Sequence, residues 1–329
     1  MDRKQAPAVE NIVPSTSISQ EENEELPPAY IAHGTSRTSD SNGPSLTLRP
    51  FPAVDYPSYR PASSTLSSDY TTITTSHRPY NKSASALTEF IRQQASLPPR
   101  PLICIKGTSI TGTDFHVKLN LLPYLHRATD PWNYLTIKPG QDDNQSRFRR
   151  SQSLNKSLET WIKEYCSDQS GLKTFTLERQ VINFDLDTLS GVIRNTFADV
   201  GYRGHLDIRL ETAFSKVIVD NQSTKGAGAF FRPIVSAFIG SKNFEVVKAV
   251  WPFARSGPEE DGENHQQSSS TIREFASVSE ASWWKAWKLA VLKAAVEKRR
   301  GWVTIEDRTE VLMTGWLQDM QFRPWGGGG

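Results

Sequence analysis

Leu26-Pro27-Pro28-Ala29-Tyr30 is the stretch whose residue types and spacing point most directly to a chemistry, and that chemistry is recognition. Adjacent prolines preset a polyproline II backbone at little entropic cost, because each ring already fixes φ. That helix repeats every three residues, so Tyr30 falls on the same face as Pro27. A ligand of this form lays a proline between the aromatics of a WW-domain groove and fills a second pocket with its tyrosine. Glu21, Glu22, Glu24 and Glu25 crowd the approach, hold the segment open, and can meet basic residues on a partner. Leu26, Pro27, Pro28 and Tyr30 are therefore the expected partner-binding residues. The expected partner is a WW-domain protein, plausibly a HECT-type ubiquitin ligase. The competing reading is a Pro-rich tail with no use.

Catalytic candidates are fewer and each has a plainer explanation. Gly107-Thr-Ser-Ile-Thr-Gly112-Thr113 has the GxxxxG frame of a phosphate loop after an apolar run. A nucleotide loop next needs Lys for the phosphates and Ser/Thr for magnesium at the start of a helix. Thr113-Asp114 stands there instead, and Asp114 repels phosphate; the stretch reads as a hairpin turn. Asp185 and Asp187, with Asn183 nearby, could hold a divalent cation, but carboxylates at this spacing more often cap the helix that follows. The histidines at 33, 77, 116, 126, 205 and 265 have no metal-ligand spacing, although His116 and His126 could meet across a hairpin. No nucleophile elbow or Cys/His signature is present. The chain is read as non-enzymatic, with no cofactor and no metal. RFRR (147–150) is a small basic patch, either solvated or a kinase-recognition site near Ser151 and Ser153.

Trp283, Trp284 and Trp287 interleave with Lys285 and Lys288, and an amphipathic helix of that kind can lie in a membrane interface. Phe230 and Phe231 would be further contacts. The alternative places Trp283 and Trp287 in the domain core, Trp284 at its edge, and the lysines on a solvated face.

These residues must be positioned by a domain, and composition says where it begins. Hydrophobic residues are 37 % of the 329, below the usual globular share, and the deficit sits in the first third. Residues 1–97 are rich in Pro, Ser, Thr and acidic groups, and STLSSDYTTITTSHRPYNKS (64–83) is almost purely polar. Such a stretch cannot bury enough apolar area to offset an ordering cost of about 1–2 kcal/mol per residue, so 1–97 is expected to be a disordered arm. TEFIRQQASL (88–97) is a short helix candidate leading into the domain.

Strands are expected at 101–107, 114–125, 132–140 and 173–185, with helices at 153–166 and 186–202. The stretch 204–221 is strand-like, with a break near Glu211–Phe214. A polar loop at 256–270 precedes Ser277-Val-Ser-Glu280, a capping-box pattern that launches the tryptophan helix towards Gly301. The expected fold class is α+β: one mixed domain over 98–322 with about three helices, an insertion at 256–270, and a flexible Gly tail at 323–329.

With 38 basic and 36 acidic residues, the net charge of +2 makes no electrostatic case for nucleic acid. Cys104 and Cys166, with no secretory signal before them, are expected to be reduced thiols in a cytoplasmic protein, which could sit peripherally on endomembranes. No run reaches 18 apolar residues.

Several blocks together resemble a fungal protein family of uncharacterised hypothetical proteins, some carrying the automatic label ABC transporter protein. The blocks are LKTFTLERQVINFDLDTL (172–189), VGYRGHLDIRL (200–210), VVKAVWPFARSG (246–257) and FASVSEASWWKAWKLAVLKAAVEKRRGWVTIED (275–307). An acidic, Pro-rich N-terminus with a PPxY motif is similar to the family as well. The resemblance implies a membrane anchor between the second and third blocks. This sequence departs from that pattern: in 222–245 only AFFRPIVSAFIG is apolar, and Arg232 and Pro233 interrupt it. The resemblance implies no established activity.

The functional expectation is a non-enzymatic adaptor or client that docks WW domains through its arm. The alternative is a peripheral lipid-surface protein contacting membrane through Phe230, Phe231, Trp283, Trp284 and Trp287.

Overall fold

Alternation along 172–182 places Lys173, Phe175, Leu177 and Arg179 on one face of a strand and Thr174, Thr176, Glu178 and Gln180 on the other, as a period of two requires. That strand organises the molecule. The computed structural model describes residues 54–125, 131–138, 156–221, 241–256 and 273–315. Among them are twelve strands and six α-helices, an α+β fold.

The strands are β1 (Ser64–Leu66), β2 (Thr72–Thr75), β3 (Arg100–Ser109), β4 (Gly112–Asn120), β5 (Tyr134–Ile137), β6 (Leu172–Ile182), β7 (His205–Ala213), β8 (Lys216–Asp220), β9 (Ser241–Pro252), β10 (Ala254–Ser256), β11 (Arg273–Phe275) and β12 (Arg300–Trp302). The helices are α1 (Arg78–Lys82), α2 (Ala84–Ala95), α3 (Leu158–Ser167), α4 (Leu186–Asp199), α5 (Glu280–Val296) and α6 (Ile305–Thr314). A six-stranded mixed sheet runs β1-β2-β8-β6-β9-β5, and a four-stranded one runs β12-β4-β3-β7. The chain passes from the second to the first where β7 gives way to β8. Phe214 there takes φ +54°, which is the break expected from the sequence near Glu211–Phe214.

Two apolar cores result. In one, α2 and α3 cover β6, β8 and β9, with Leu87, Phe90, Ile91, Ile162, Tyr165, Phe175 and Phe244 buried together. The i, i+3, i+4 spacing of Leu87, Phe90 and Ile91 gives α2 its inner stripe, and Ser83 caps it by accepting the Ala86 N–H. In the other, α4 and α5 pack on the four-stranded sheet around Phe115, Val117, Phe197, Trp283 and Val291. β6 and β9 reach both: Trp251 and, just past β9, Phe253 belong to the second core, and Val181 packs against it.

Arg179, 2 % exposed, lies where the two sheets meet. Its Nε and Nη2 donate to the backbone oxygen and side-chain oxygen of Gln94 at 2.9 and 2.7 Å, and its Nη1 donates to the Phe214 carbonyl at 2.6 Å. Its own amide donates to the Ser215 carbonyl at 2.6 Å. Beside it Tyr56 stacks on Phe214 with ring centroids 4.1 Å apart, and the Arg100 guanidinium lies over both rings.

Three expectations are corrected. The stretch expected to be a disordered arm, 1–97, is folded over 54–97, which supplies a 3-10 turn at Tyr56–Tyr59, two strands and two helices, and the helix expected at 88–97 is present as part of α2. The polar stretch 64–83 is ordered because β2 pairs in parallel with β8 and buries Ile73 and Thr75, so the apolar partners come from elsewhere in the chain. The domain therefore starts well before residue 98. Helices number six among the described residues, not about three, because short α1 and α6 and the α2 segment were not counted as domain elements.

The capping of α5 is displaced from the expected box. Ser279 is the N-cap, accepting the Ser282 N–H at 3.2 Å, and Glu280 turns inward.

Arg179→Met is expected to cost about 3 kcal/mol or more of unfolding free energy in urea titrations, since it strands the Gln94 and Phe214 acceptors at about 1–3 kcal/mol each. A chain beginning at residue 98 would lose Leu87, Phe90 and Ile91, each worth about 1.5–3 kcal/mol of burial, and is expected to show no cooperative unfolding transition. A sharp transition in that chain would mean residues 54–97 are dispensable.

Candidate binding face and the fate of the predicted sites

The sequence-predicted sites divide by where the fold puts them. Leu26, Pro27, Pro28 and Tyr30, like Phe230 and Phe231, lie outside the described residues, as do His126 and the RFRR patch. Trp283, Trp284 and Trp287 are 1, 2 and 6 % exposed. Trp284 donates its indole N–H to Thr196 Oγ1 at 3.1 Å, and Trp287 donates to Tyr124 Oη at 2.8 Å. None of the three has a face to offer a bilayer, so membrane contact is corrected for these residues, and Trp284 is interior rather than at the core's edge. Their alternation with lysines reflects a wide helix face packed against both α4 and β4. Among the described residues no helix is long and apolar enough to cross a membrane.

The GxxxxG frame is a β3–β4 hairpin. Gly112, with φ +117°, closes the turn. Gly107 is required by close packing: a Cβ there would sit 2.2 Å from the Phe115 ring and 2.6 Å from Tyr202 Oη. Gly204 answers the same hydroxyl, where a Cβ would lie 2.2 Å away. Tyr202 donates to Asp114 Oδ2 at 2.9 Å, and Ser109 donates to Asp114 Oδ1 at 2.8 Å. Burial, then the Asp114 contact, raises the Tyr202 phenol well above its ordinary range. Asp114, which looked like a phosphate-repelling oddity, is the anchor of this lock; two glycines near a tyrosine were its only trace in the sequence.

Asp185 caps α4, accepting the Thr188 N–H at 3.0 Å. Glu280, buried, accepts the Asp185 N–H at 2.9 Å and pairs with Arg273 at 2.9 Å. Arg273 also donates to the Asn183 carbonyl at 2.6 Å and approaches Asp185 at 4.0 Å. An arginine thus occupies the space a cation would need, and Asp187 is exposed in the first helical turn. Among the described residues no three His, Cys, Asp or Glu side chains are grouped to hold a metal. Neither Cys104 nor Cys166 is in a disulfide.

What the sequence did not point to is the face of the six-stranded sheet opposite α2 and α3, on which no helix packs among the described residues. Strand pairing aligns Thr72, Lys216, Glu178, Lys248 and Thr136 in one row across five strands. Glu178 sits between Lys216 at 3.4 Å and Lys248 at 3.8 Å, and accepts from Gln180 at 3.1 Å. Beside this row an open concavity of about 560 Å³ is lined by Thr136, Lys138, Thr176, Glu178, Glu245 and Lys248. It lies at a bulge, where the register between β6 and β9 shifts at Thr176/Leu177. Bulges re-aim side chains and often stand beside binding sites. The arrangement can hold polar or charged ligand groups by hydrogen bonds. Comparison with family models, with curated proteins and with solved structures finds no match.

The bonds from the Thr188 N–H and side chain hold the Asp185 carboxyl below its usual range, and Lys242, at 2.8 Å, with Ser170 holds Asp168 lower still. Carboxylates depressed in the folded state keep their stabilising contribution above the unfolded value of about 3.9 and lose it as pH falls towards the folded one. Urea stability is therefore expected to decline with acidification below about pH 4, and less steeply in an Asp168→Asn/Asp185→Asn variant. An unchanged slope would show that other groups carry the acid limb.

Proposed function

We propose that this chain is a non-enzymatic docking protein, an adaptor or client recruited to WW domains through Leu26, Pro27, Pro28 and Tyr30. One observation carries the reading: a PPxY sequence behind four glutamates, upstream of the described α+β domain. The motif needs only an extended, accessible backbone, and its two prolines supply that conformation with little entropy left to lose. HECT-type ubiquitin ligases carry WW domains of the kind such ligands fit, which would place the encounter in the cytoplasm. The α+β domain is then the part delivered or modified, and its polar sheet face is available for a second interaction. The resemblance to a fungal family, resting on the sequence blocks in 172–307, fits a role built on association rather than turnover.

Fluorescence polarisation of a labelled peptide spanning residues 18–36 against a panel of WW domains tests the reading. The expected result is micromolar binding that Tyr30→Ala weakens by roughly tenfold or more, about 1.4 kcal/mol or greater. The full chain should compete for the same domains, and its Tyr30→Ala variant should not. Wild-type peptide that binds no domain in the panel, or a substitution without effect, would sink the proposal.

A further inference from the structure

β5 stands at the end of the six-stranded sheet, and among the described residues its one strand neighbour is β9. In an antiparallel pair, successive residues turn their peptide groups alternately towards and away from the partner. Lys138 donates its N–H to the Val246 carbonyl at 2.9 Å. By alternation Tyr134 and Thr136 also face β9, so the N–H and C=O of Leu135 and Ile137 aim away from the sheet. Tyr134 and Leu135 are 46 and 43 % exposed, among the few large hydrophobic side chains on the described surface. Unpaired edges of this kind are usually blunted by charge, proline or cover. The β5 sequence, Tyr-Leu-Thr-Ile, has no charge or proline, and among the described residues no strand covers this edge; the nearest charge is Lys138 beyond its end.

The two sides of this edge differ. On the helix side Leu135 and Ile137 lead to Trp161, whose indole N–H donates to the Lys138 carbonyl at 3.0 Å and pins the end of the strand. On the open side Thr136 neighbours Lys248, and Lys138 projects beside the concavity. Glu178 is already shared between Lys216 and Lys248, so Lys138 and Lys248 outweigh Glu245 at this rim.

We propose that the open edge of β5 accepts an extended peptide from a partner protein whose residues alternate between apolar and acidic. An added strand hydrogen-bonds to the outward groups of Leu135 and Ile137 and sends its side chains alternately to the two faces. Acidic residues then meet Lys138 and Lys248, while apolar residues cover Leu135, Ile137 and the Trp161 rim. This surface is separate from the proline motif and does not depend on it.

The test titrates the isotope-labelled full-length chain with an acetylated, amidated octapeptide of alternating Glu and Val, and with the matching Lys/Val peptide. Amide shift changes should concentrate on Leu135, Ile137 and their β9 neighbours, with saturation below millimolar peptide. The Lys/Val peptide should bind roughly tenfold more weakly, and Lys138→Glu/Lys248→Glu should reverse the preference. N-methylation of alternate peptide amides should abolish binding in one register. Equal affinity for the two peptides, no saturation at millimolar peptide, or shifts confined to other elements would overturn the proposal. So would a dimer, seen by sedimentation and broken by Leu135→Lys, since the edge would then belong to a second copy. The Tyr30→Ala chain should bind the octapeptide unchanged, so failure here and failure of WW docking are distinguishable.

Discussion

A guanidinium buried among carbonyl oxygens holds the two halves of this fold together. Arg179 is enclosed where β6 passes from one core to the other, and its acceptors are Gln94 at the end of α2 and Phe214 at the crossover between sheets. Burial pulls its pKa down to about 10, so the group is still charged at neutral pH. Such a charge costs several kcal/mol to desolvate, and here neutral dipoles offset the cost. The planar fork matters: three donors reach two separate segments in fixed directions, which an ammonium on a flexible stem would not reproduce. Gln94 is tied in turn to the Tyr59 carbonyl at 2.9 Å. The 3-10 turn at Tyr56–Tyr59, α2 and the β7–β8 crossover, far apart in sequence, are thus tied together around one β6 side chain.

This junction explains which parts of the fold were legible. β6, α3, α4 and the broken β7–β8 strand follow from local periodicity, because each carries its own apolar stripe. The break itself was readable as a disturbance in that pattern, and the positive φ of Phe214 is its cause. Within residues 54–97 only the helix over 88–97 was legible, and it stands as part of α2. Thr72-Ile-Thr-Thr75 looks like a linker by composition, yet β8 and the Tyr56–Phe214 stack supply the apolar surface it lacks. A segment that borrows its core from chain more than a hundred residues away carries no local signature of being folded. α6 was missed for a related reason. Val311 is its one buried residue, and much of its docking is ionic: Lys293 with Glu310 at 3.3 Å and Arg299 with Asp307 at 2.5 Å.

Burial likewise decided between the two readings of the tryptophan helix. Trp and Lys alternating along a helix are compatible with an interface or with a core, since lysine stems cover apolar surface while their heads stay wet. The four-stranded sheet and α4 present enough apolar area to enclose all three rings. Among the described residues most of the aromatic side chains are spent on packing, Tyr59 and Tyr134 being exposed exceptions.

The open face of the six-stranded sheet is where polar side chains are organised. Helices cover one side, and the other is held by cross-strand pairs, each worth about 0.2–1 kcal/mol. One extra residue in β9 makes the arrangement. Glu245 and Lys248 share the polar face although they are three apart, which strict alternation forbids. The register shift places Val246 and Val247 successively indoors and returns Lys248 to the row of Glu178. Without the bulge, every β9 side chain beyond it would change faces. Lys248 would then enter the apolar layer beneath α3, an unpaired cation where Ala249 and Val247 now pack. The bulge therefore carries an energetic necessity and a geometric by-product at once. It keeps the helix side dry, and in doing so it sets a lysine and a concavity beside the β5 edge of the sheet.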